Sequence, residues 1–234
     1  MTAPPIRTAT TEAPSPARPQ VWICLEGTNG VGKTLLAHLL AQRLGPDCAL
    51  IYELPDAPRD QLPGQVIAAL AARQDPFLRT GFPLAETFAL LGLAVRRRED
   101  GAESASFVVE DRGVDSVAIY QSLTLSDEED EDPYPLARRL LTLAEQWRPA
   151  NSLTVLLKDT TAACRGRMAE RLGRTLTNAE HGYLERAARL YDRLADAEPG
   201  RYLVLDRARL SLPQVLDVLI AAIPDAARPD GVPL

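Results

Sequence analysis

Lysine is nearly missing from this chain. Its 234 residues include 26 Lys and Arg, of which only Lys33 and Lys158 are lysines. Histidine is as scarce, at two residues, and aromatic side chains make up 5%. The three cysteines, Cys24, Cys48 and Cys164, lie far apart and form no C-x-x-C pair. That excludes a disulfide framework and a Cys/His zinc site. It leaves the thiols as small buried hydrophobes in a reducing cytoplasm. No run of 18 apolar residues occurs, which excludes a helical membrane span, and the N-terminus shows no charged-then-apolar export pattern. A basic excess is absent as well, since 32 acids leave a net charge of −6. Six of those acids form one run, Asp127 to Asp132, and the remainder of the chain balances. The bases fall on most segments. Such a chain has no electrostatic footprint for nucleic acid and no basic tract for a membrane surface.

What is present suits one globular domain. The 46% hydrophobic share is ordinary, and a domain of this length buries roughly 70–75% of its unfolded surface. Residues 1–20 are rich in Pro, Thr and Ala and read as a disordered tail. The ordered domain spans 21–224, and 225–234 form a C-terminal tail. Short apolar runs at 21–25, 49–53, 107–109, 153–157 and 202–205 read as strands. Helical periodicity marks 33–44, 65–73, 84–100, 116–123, 136–147, 161–172, 179–197 and 212–223. Strands alternating with helices imply an α/β fold, a parallel five-stranded sheet covered on both faces. The acidic run reads as a solvated loop. There is no internal repeat.

The strongest motif joins the first strand to the first helix. Gly27-Thr28-Asn29-Gly30-Val31-Gly32-Lys33-Thr34 matches G-x-x-x-x-G-K-[ST] in its proper strand–loop–helix setting. Glycines let the backbone curl so that its N–H groups cradle phosphate oxygens, and the helix N-terminus adds positive partial charge. Lys33 reaches the outer phosphates and the Thr34 hydroxyl ligates Mg²⁺. A lysine here, in a chain that otherwise uses arginine, marks a place where the compact ammonium is needed. The third strand ends in Glu110-Asp111-Arg112; Asp111 is the candidate second Mg²⁺ group. Arg112 either grips a phosphate or pairs with Asp111 or Asp115. Arg165, Arg167, Arg171 and Arg174 form a candidate lid over about 163–180, able to close on ATP and supply positive charge. Arg96-Arg97-Arg98 end a helix, where cations suit the dipole; a substrate-phosphate role for one of them stands equally open. His38 and His181 read as solvated.

Together these stretches resemble the thymidylate kinase family. The first matches E-G-x-x-G-x-G-K-[ST] from Glu26 to Thr34. The second, Asp111 to Gln121, resembles D-R-[YW]-x-x-S-x-x-x-Y-Q. Arg148-Pro149 ahead of 153–157 resembles R-P-D-x-x-x-x-L, and Glu180, Tyr183, Arg186, Tyr191 and 201–206 resemble the closing helix and strand. The likeness runs from about Val21 to Ile223. It implies a P-loop kinase domain that moves the γ-phosphoryl group of ATP, with Mg²⁺, onto a nucleoside monophosphate, thymidylate by default. It implies that Gly27 to Thr34 bind ATP and that Asp111 organises the metal. Arg112 and Arg96 would hold the acceptor, with Ser116, Tyr120 and Gln121 beside it. A homodimer is the family's habit.

Three departures fall on the acceptor side. The family's R-E-P-G-G after the second strand is replaced by Tyr52-Glu53-Leu54-Pro55-Asp56. Its stacking phenylalanine, four residues before the helix arginine, becomes Gly92 when counted from Arg96. The third residue of D-R-[YW] is Gly113. A deoxynucleoside kinase-like enzyme, with Glu53 as base on a sugar hydroxyl, is therefore an alternative, as is a kinase for an unusual nucleotide in specialised metabolism. A non-catalytic ATP-binding regulator is a third. A GTP switch is excluded, because Leu157-Lys158-Asp159-Thr160 lacks the N-K-x-D pattern.

Overall fold

The computed structural model describes residues 20–53, 62–72, 75–96, 105–126, 131–148 and 150–224. The expected N-terminal tail (1–20) up to residue 19, the C-terminal tail 225–234, the Leu54-Pro55-Asp56 departure, Arg97 and Arg98, Pro149 and most of the acidic run lie outside these residues.

Five strands carry the frame: β1 (Val21–Glu26), β2 (Cys48–Ile51), β3 (Phe107–Asp111), β4 (Leu153–Lys158) and β5 (Tyr202–Asp206). All neighbours are parallel, in the order β2-β3-β1-β4-β5. Each parallel pairing needs a crossover, which the helices supply: α1 (Lys33–Leu44), α2 (Leu62–Ala71), α3 (Pro83–Arg96), α4 (Val114–Leu125), α5 (Pro133–Glu145), α6 (Thr161–Leu172), α7 (Asn178–Ala197) and α8 (Leu212–Ala222). The chain leaves β1 for one edge of the sheet, and returns later to pair β4 on the other side of β1. That reversal opens a crevice beyond the carboxyl ends of β1 and β3, where open α/β sheets bind ligands.

Local chemistry sets the boundaries. β1 is buried at every position, hence its unbroken apolar run. α6 stops at Gly173, whose φ of 64° is the left-handed cap conformation. α7 begins on a reciprocal box: Thr177 Oγ1 accepts from the Glu180 N–H, and the Glu180 carboxylate accepts from the Thr177 N–H. The expected strand at 49–53 ends at Ile51, so Glu53 lies on the loop beyond it. No described helix is long and apolar enough to cross a membrane.

The two faces of the central strands differ. Ile23, Leu25, Phe107 and Val109 join the main hydrophobic core on the side covered by α1. On the alternate side Trp22 and Val108 form a small apolar cluster, and Glu26 and Glu110 a buried polar seam. Glu110 accepts from the Trp22 indole N–H at 3.0 Å and pairs with Arg148, which also donates to the Ala94 carbonyl at 3.0 Å. Glu26, fully buried, accepts from the Gly113 N–H at 2.8 Å, from Ser116 Oγ and from the Tyr191 hydroxyl at 3.0 Å.

Candidate active site

The phosphate loop sits at the crevice. Gly27 and Gly30 have φ of 134° and 80°. A Cβ on Gly27 would meet the Leu157 carbonyl oxygen at 2.4 Å, and one on Gly30 the Cys164 carbonyl oxygen at 2.2 Å. Both positions therefore require glycine for backbone angle and for space. Lys33 folds back, donating to the carbonyls of Gly27 and Thr28 at 2.8 Å each. Burial, helped by the neighbouring Arg112 charge, lowers its pKa to about 7 against the pull of Asp111 and Glu53.

Arg112 lies at the centre. Its φ is 64°, unusual for a side-chain-bearing residue. The turn is held by the Arg112 N–H on the Leu25 carbonyl (3.1 Å) and by Gly113 on Glu26. The guanidinium donates to Asn29 Oδ1 (2.7 Å), to Ser116 Oγ (3.3 Å) and to the Gly27 carbonyl (3.4 Å), and forms an ion pair with Glu53. Burial pushes the Glu53 carboxyl up, but Arg112 and then Lys33 outweigh it, so its pKa falls below the usual carboxylate value. Tyr120 accepts from the Asn29 N–H at 3.1 Å and lies under Arg112. Gln121, buried, accepts from Thr87 of α3 at 2.9 Å.

Asn29, Glu53, Arg112, Gly113, Ser116, Tyr120 and Gln121 line one cavity of about 510 Å³, together with Thr34, Pro76, Phe77, Leu78, Leu90, Val117 and Arg171. Thr34 offers a hydroxyl oxygen there, and Asp111, buried at the end of β3, adds a carboxylate whose charge is felt at Lys33. Hard oxygen donors of this kind suit Mg²⁺. Among the described residues no cluster of three or more His, Cys, Asp or Glu could hold a metal alone. A sparse protein donor set fits an ion that is shared with substrate phosphates.

A curated protein, the probable thymidylate kinase of Halorubrum lacusprofundi, is 31% identical over 191 residues, covering 80% of this chain and 89% of its own. The chain belongs to the thymidylate kinase family. No protein-family model matches it. The fold is shared with thymidylate kinase from Candida albicans (TM-score 0.61, 19% identity, 86% of this chain and 89% of that one). It is shared also with that from Ehrlichia chaffeensis (0.60, 18%, 86% and 98%). Deoxyadenosine kinase from M. mycoides, solved with dCTP, superposes at 0.58 with 15% identity over 86% and 97% of the two chains.

The structure places the expected site residues unevenly. The four lid arginines have different surroundings. Arg171 lines the cavity. Arg167 binds the Gly30 carbonyl and Asp159, bracing the phosphate loop from outside the cavity lining. Arg165 lies 3.9 Å from Glu185, both half-exposed, and Arg174 pairs doubly with Glu180 at the start of α7 (2.9 and 2.6 Å). The last two side chains are drawn to carboxylates outside the cavity lining. Residues 163–172 of the expected lid belong to α6, helical as expected. Gly92 is exposed and outside the cavity lining, and a Cβ there would meet nothing within 4 Å. α3 presents Leu90 to the cavity instead, and four residues on stands buried Ala94. Arg96 is the last residue of α3, and its side chain lies outside the described part. At Gly113 a Cβ would meet Cys24 Sγ at 2.5 Å, with Glu26 and Arg148 close behind. The missing aromatic there is excluded by the buried polar seam rather than by the acceptor.

Sequence reasoning missed Phe77, Leu78 and Thr87, which carry no motif, and Arg207, which donates to the Val31 carbonyl at 2.6 Å and braces the phosphate loop. The arginine after the last strand was the available signal for Arg207.

Proposed function

We propose that the protein transfers the γ-phosphoryl group of ATP to a nucleoside monophosphate, thymidylate in the first instance, yielding thymidine diphosphate and ADP. One observation carries this reading. A single cavity is lined at once by Thr34 of the phosphate loop, by Arg112 and Arg171, and by the base-sized group Phe77, Leu90, Tyr120 and Gln121.

ATP would lie with its phosphates on the N–H groups of Gly27 to Thr34. Lys33 would exchange its two carbonyl partners for phosphate oxygens, an exchange favoured because those carbonyls leave its buried charge only partly compensated. Thr34 and Asp111 would hold Mg²⁺, which when bound neutralises charge on the phosphates. Arg112, steadied by Asn29 and Ser116, would hold the acceptor, and Arg171 would add charge from α6. Ser116 and Tyr120 act through the hydrogen bonds that fix Arg112 and Asn29. With so little covalent work for the protein, positioning and charge neutralisation carry the rate.

The Glu53–Arg112 pair favours a second reading. A guanidinium already neutralised by a carboxylate is a poor receptor for a second phosphate, and a carboxylate in that place suits a sugar hydroxyl, whose proton Glu53 would accept. A panel of nucleosides and monophosphates offered with ATP and Mg²⁺, read as acceptor-dependent ADP formation, separates the two. Turnover of thymidylate supports the first; turnover of nucleosides alone overturns it. ATP binding with no turnover would establish the regulator.

The reading includes a cytoplasmic enzyme, supported by three free cysteines, and a second copy of the chain as partner. The outer face of α3 supports the latter, for Phe82, Leu84 and Phe88 are each about two-thirds exposed, while the charged Glu86 is buried. Sedimentation of Phe88→Glu should show a monomer where the wild type is a dimer; an unchanged state would remove α3 from the interface.

A further inference from the structure

The aromatic surface of the cavity comes from an unexpected place. Of the described residues of α3 only Leu90 lines it, and Gly92 is exposed and outside the lining. Tyr120 lines the cavity, but its hydroxyl is committed to Asn29 and Arg112 lies over its ring at 5.8 Å. Phe77, on the segment between α2 and α3, lines the cavity while only 6% exposed. Its ring is backed by Tyr183 (centroids 4.6 Å) and Tyr120 (6.0 Å, nearly parallel).

The segment that carries Phe77 is clamped at both ends. Asp75 accepts from the Phe77 N–H at 2.8 Å, from the Arg79 N–H at 3.3 Å and from the Arg79 guanidinium at 2.8 Å. That guanidinium in turn lies 4.8 Å from the Tyr183 ring and 5.5 Å from Phe77. At the other end Glu86, buried, accepts from the Thr80 N–H (2.6 Å) and hydroxyl and from the Phe82 N–H (3.0 Å). Between the clamps Leu78 takes a φ of 62°, a local cost that the clamps sustain. Such a segment is preorganised, so a ligand meeting Phe77 need not order it first.

We propose that Phe77 determines acceptor specificity, its ring serving as the platform for the acceptor's planar base in place of an aromatic residue on α3. The inference rests on the nucleotide-acceptor reading above. Tyr183 and Tyr120 hold the platform in place, and Gln121, whose carboxamide oxygen is occupied by Thr87, has its NH₂ end left to donate to the edge of the base.

The test compares wild type with Phe77→Met, which keeps volume and loses the ring, and Phe77→Leu as a second variant. The measurements are KM for ATP and for thymidylate or thymidine, whichever the wild type phosphorylates, and inhibition by 2-deoxyribose 5-phosphate, which has no base. Losing the platform should raise the acceptor KM about tenfold or more, leaving the KM for ATP and the inhibition by the base-less sugar within about twofold. An acceptor KM within twofold of wild type, or an equal loss for ATP and the base-less sugar, overturns the role of Phe77 while leaving the kinase reading intact. A wild type that binds ATP but neither binds nor phosphorylates any nucleoside or monophosphate overturns the kinase reading and this inference with it. Should both variants fail to fold, the wild type alone decides: thymidylate must bind at least about tenfold tighter than 2-deoxyribose 5-phosphate, and equal affinities overturn the platform.

Discussion

The donor and acceptor ends of the cavity are built on different plans. The proposed donor end is eight consecutive residues, Gly27 to Thr34, whose shape is enforced by close contacts such as that of Gly30 with the Cys164 carbonyl. The acceptor end draws Glu53 from the loop after β2, Phe77 from a clamped segment, Leu90 from α3, Arg112 from the end of β3, Gln121 from α4 and Arg171 from α6. A contiguous loop has few ways to change and keep its geometry. An end gathered from six places can exchange one residue at a time, and the departure from the family pattern at Tyr52-Glu53 is found there.

The largest effect should follow from Lys33→Ala, which removes the one ammonium of the donor end. We expect kcat/KM for ATP to fall by roughly 10²–10³-fold whichever acceptor is offered; a loss confined to one acceptor would break the division into two ends. Next is Arg148→Ala, which leaves Glu110 charged and buried outside both ends of the cavity. Chemical denaturation should show a loss of about 3–5 kcal/mol, against a much smaller change for a surface arginine such as Arg209.

Arg112→Lys tests the acceptor end directly. A lysine cannot span Glu53, Asn29 and Ser116 together, so the acceptor KM should rise by about tenfold or more while that for ATP changes little. Among the lid arginines, Arg171→Ala should lower kcat by about tenfold and Arg165→Ala by less than twofold; equal losses would restore a lid that acts as one unit. The smallest effect concerns Glu180. Arg174, against a smaller opposing effect of burial, draws its pKa down to about 2 from the usual 4.5. The folded-state value lies below the unfolded one, so the contribution is complete above pH 4.5 and is lost as pH falls through 2. Glu180→Gln should cost about 0.5–1 kcal/mol at pH 7, and thermal melts of variant and wild type should converge towards pH 2.

How much of this was legible in the sequence follows the same division. Alternating strands and helices and the phosphate loop were readable because each rests on local spacing. Asp111 and Arg112 could be singled out because they end an apolar strand. Counting back from Arg96 fixes Gly92 as a position in the chain but not the face of the helix; packing turned Leu90 inward and left Gly92 exposed. The lid arginines looked equivalent in a row of similar residues. Which carboxylate each one meets depends on α7 and on Asp159, brought close only by folding.

By itself, then, the sequence determined the α/β class, the donor site and the family pattern, because periodicity, glycine geometry and short motifs act over a few residues. Tertiary structure alone decided the capture of Arg112 by Glu53, the burial of Arg148 against Glu110, and the placing of Phe77 in the cavity lining. Those contacts join residues tens of positions apart. Their energies come from burial and from charges compensating one another in a low-dielectric interior, which no local pattern records.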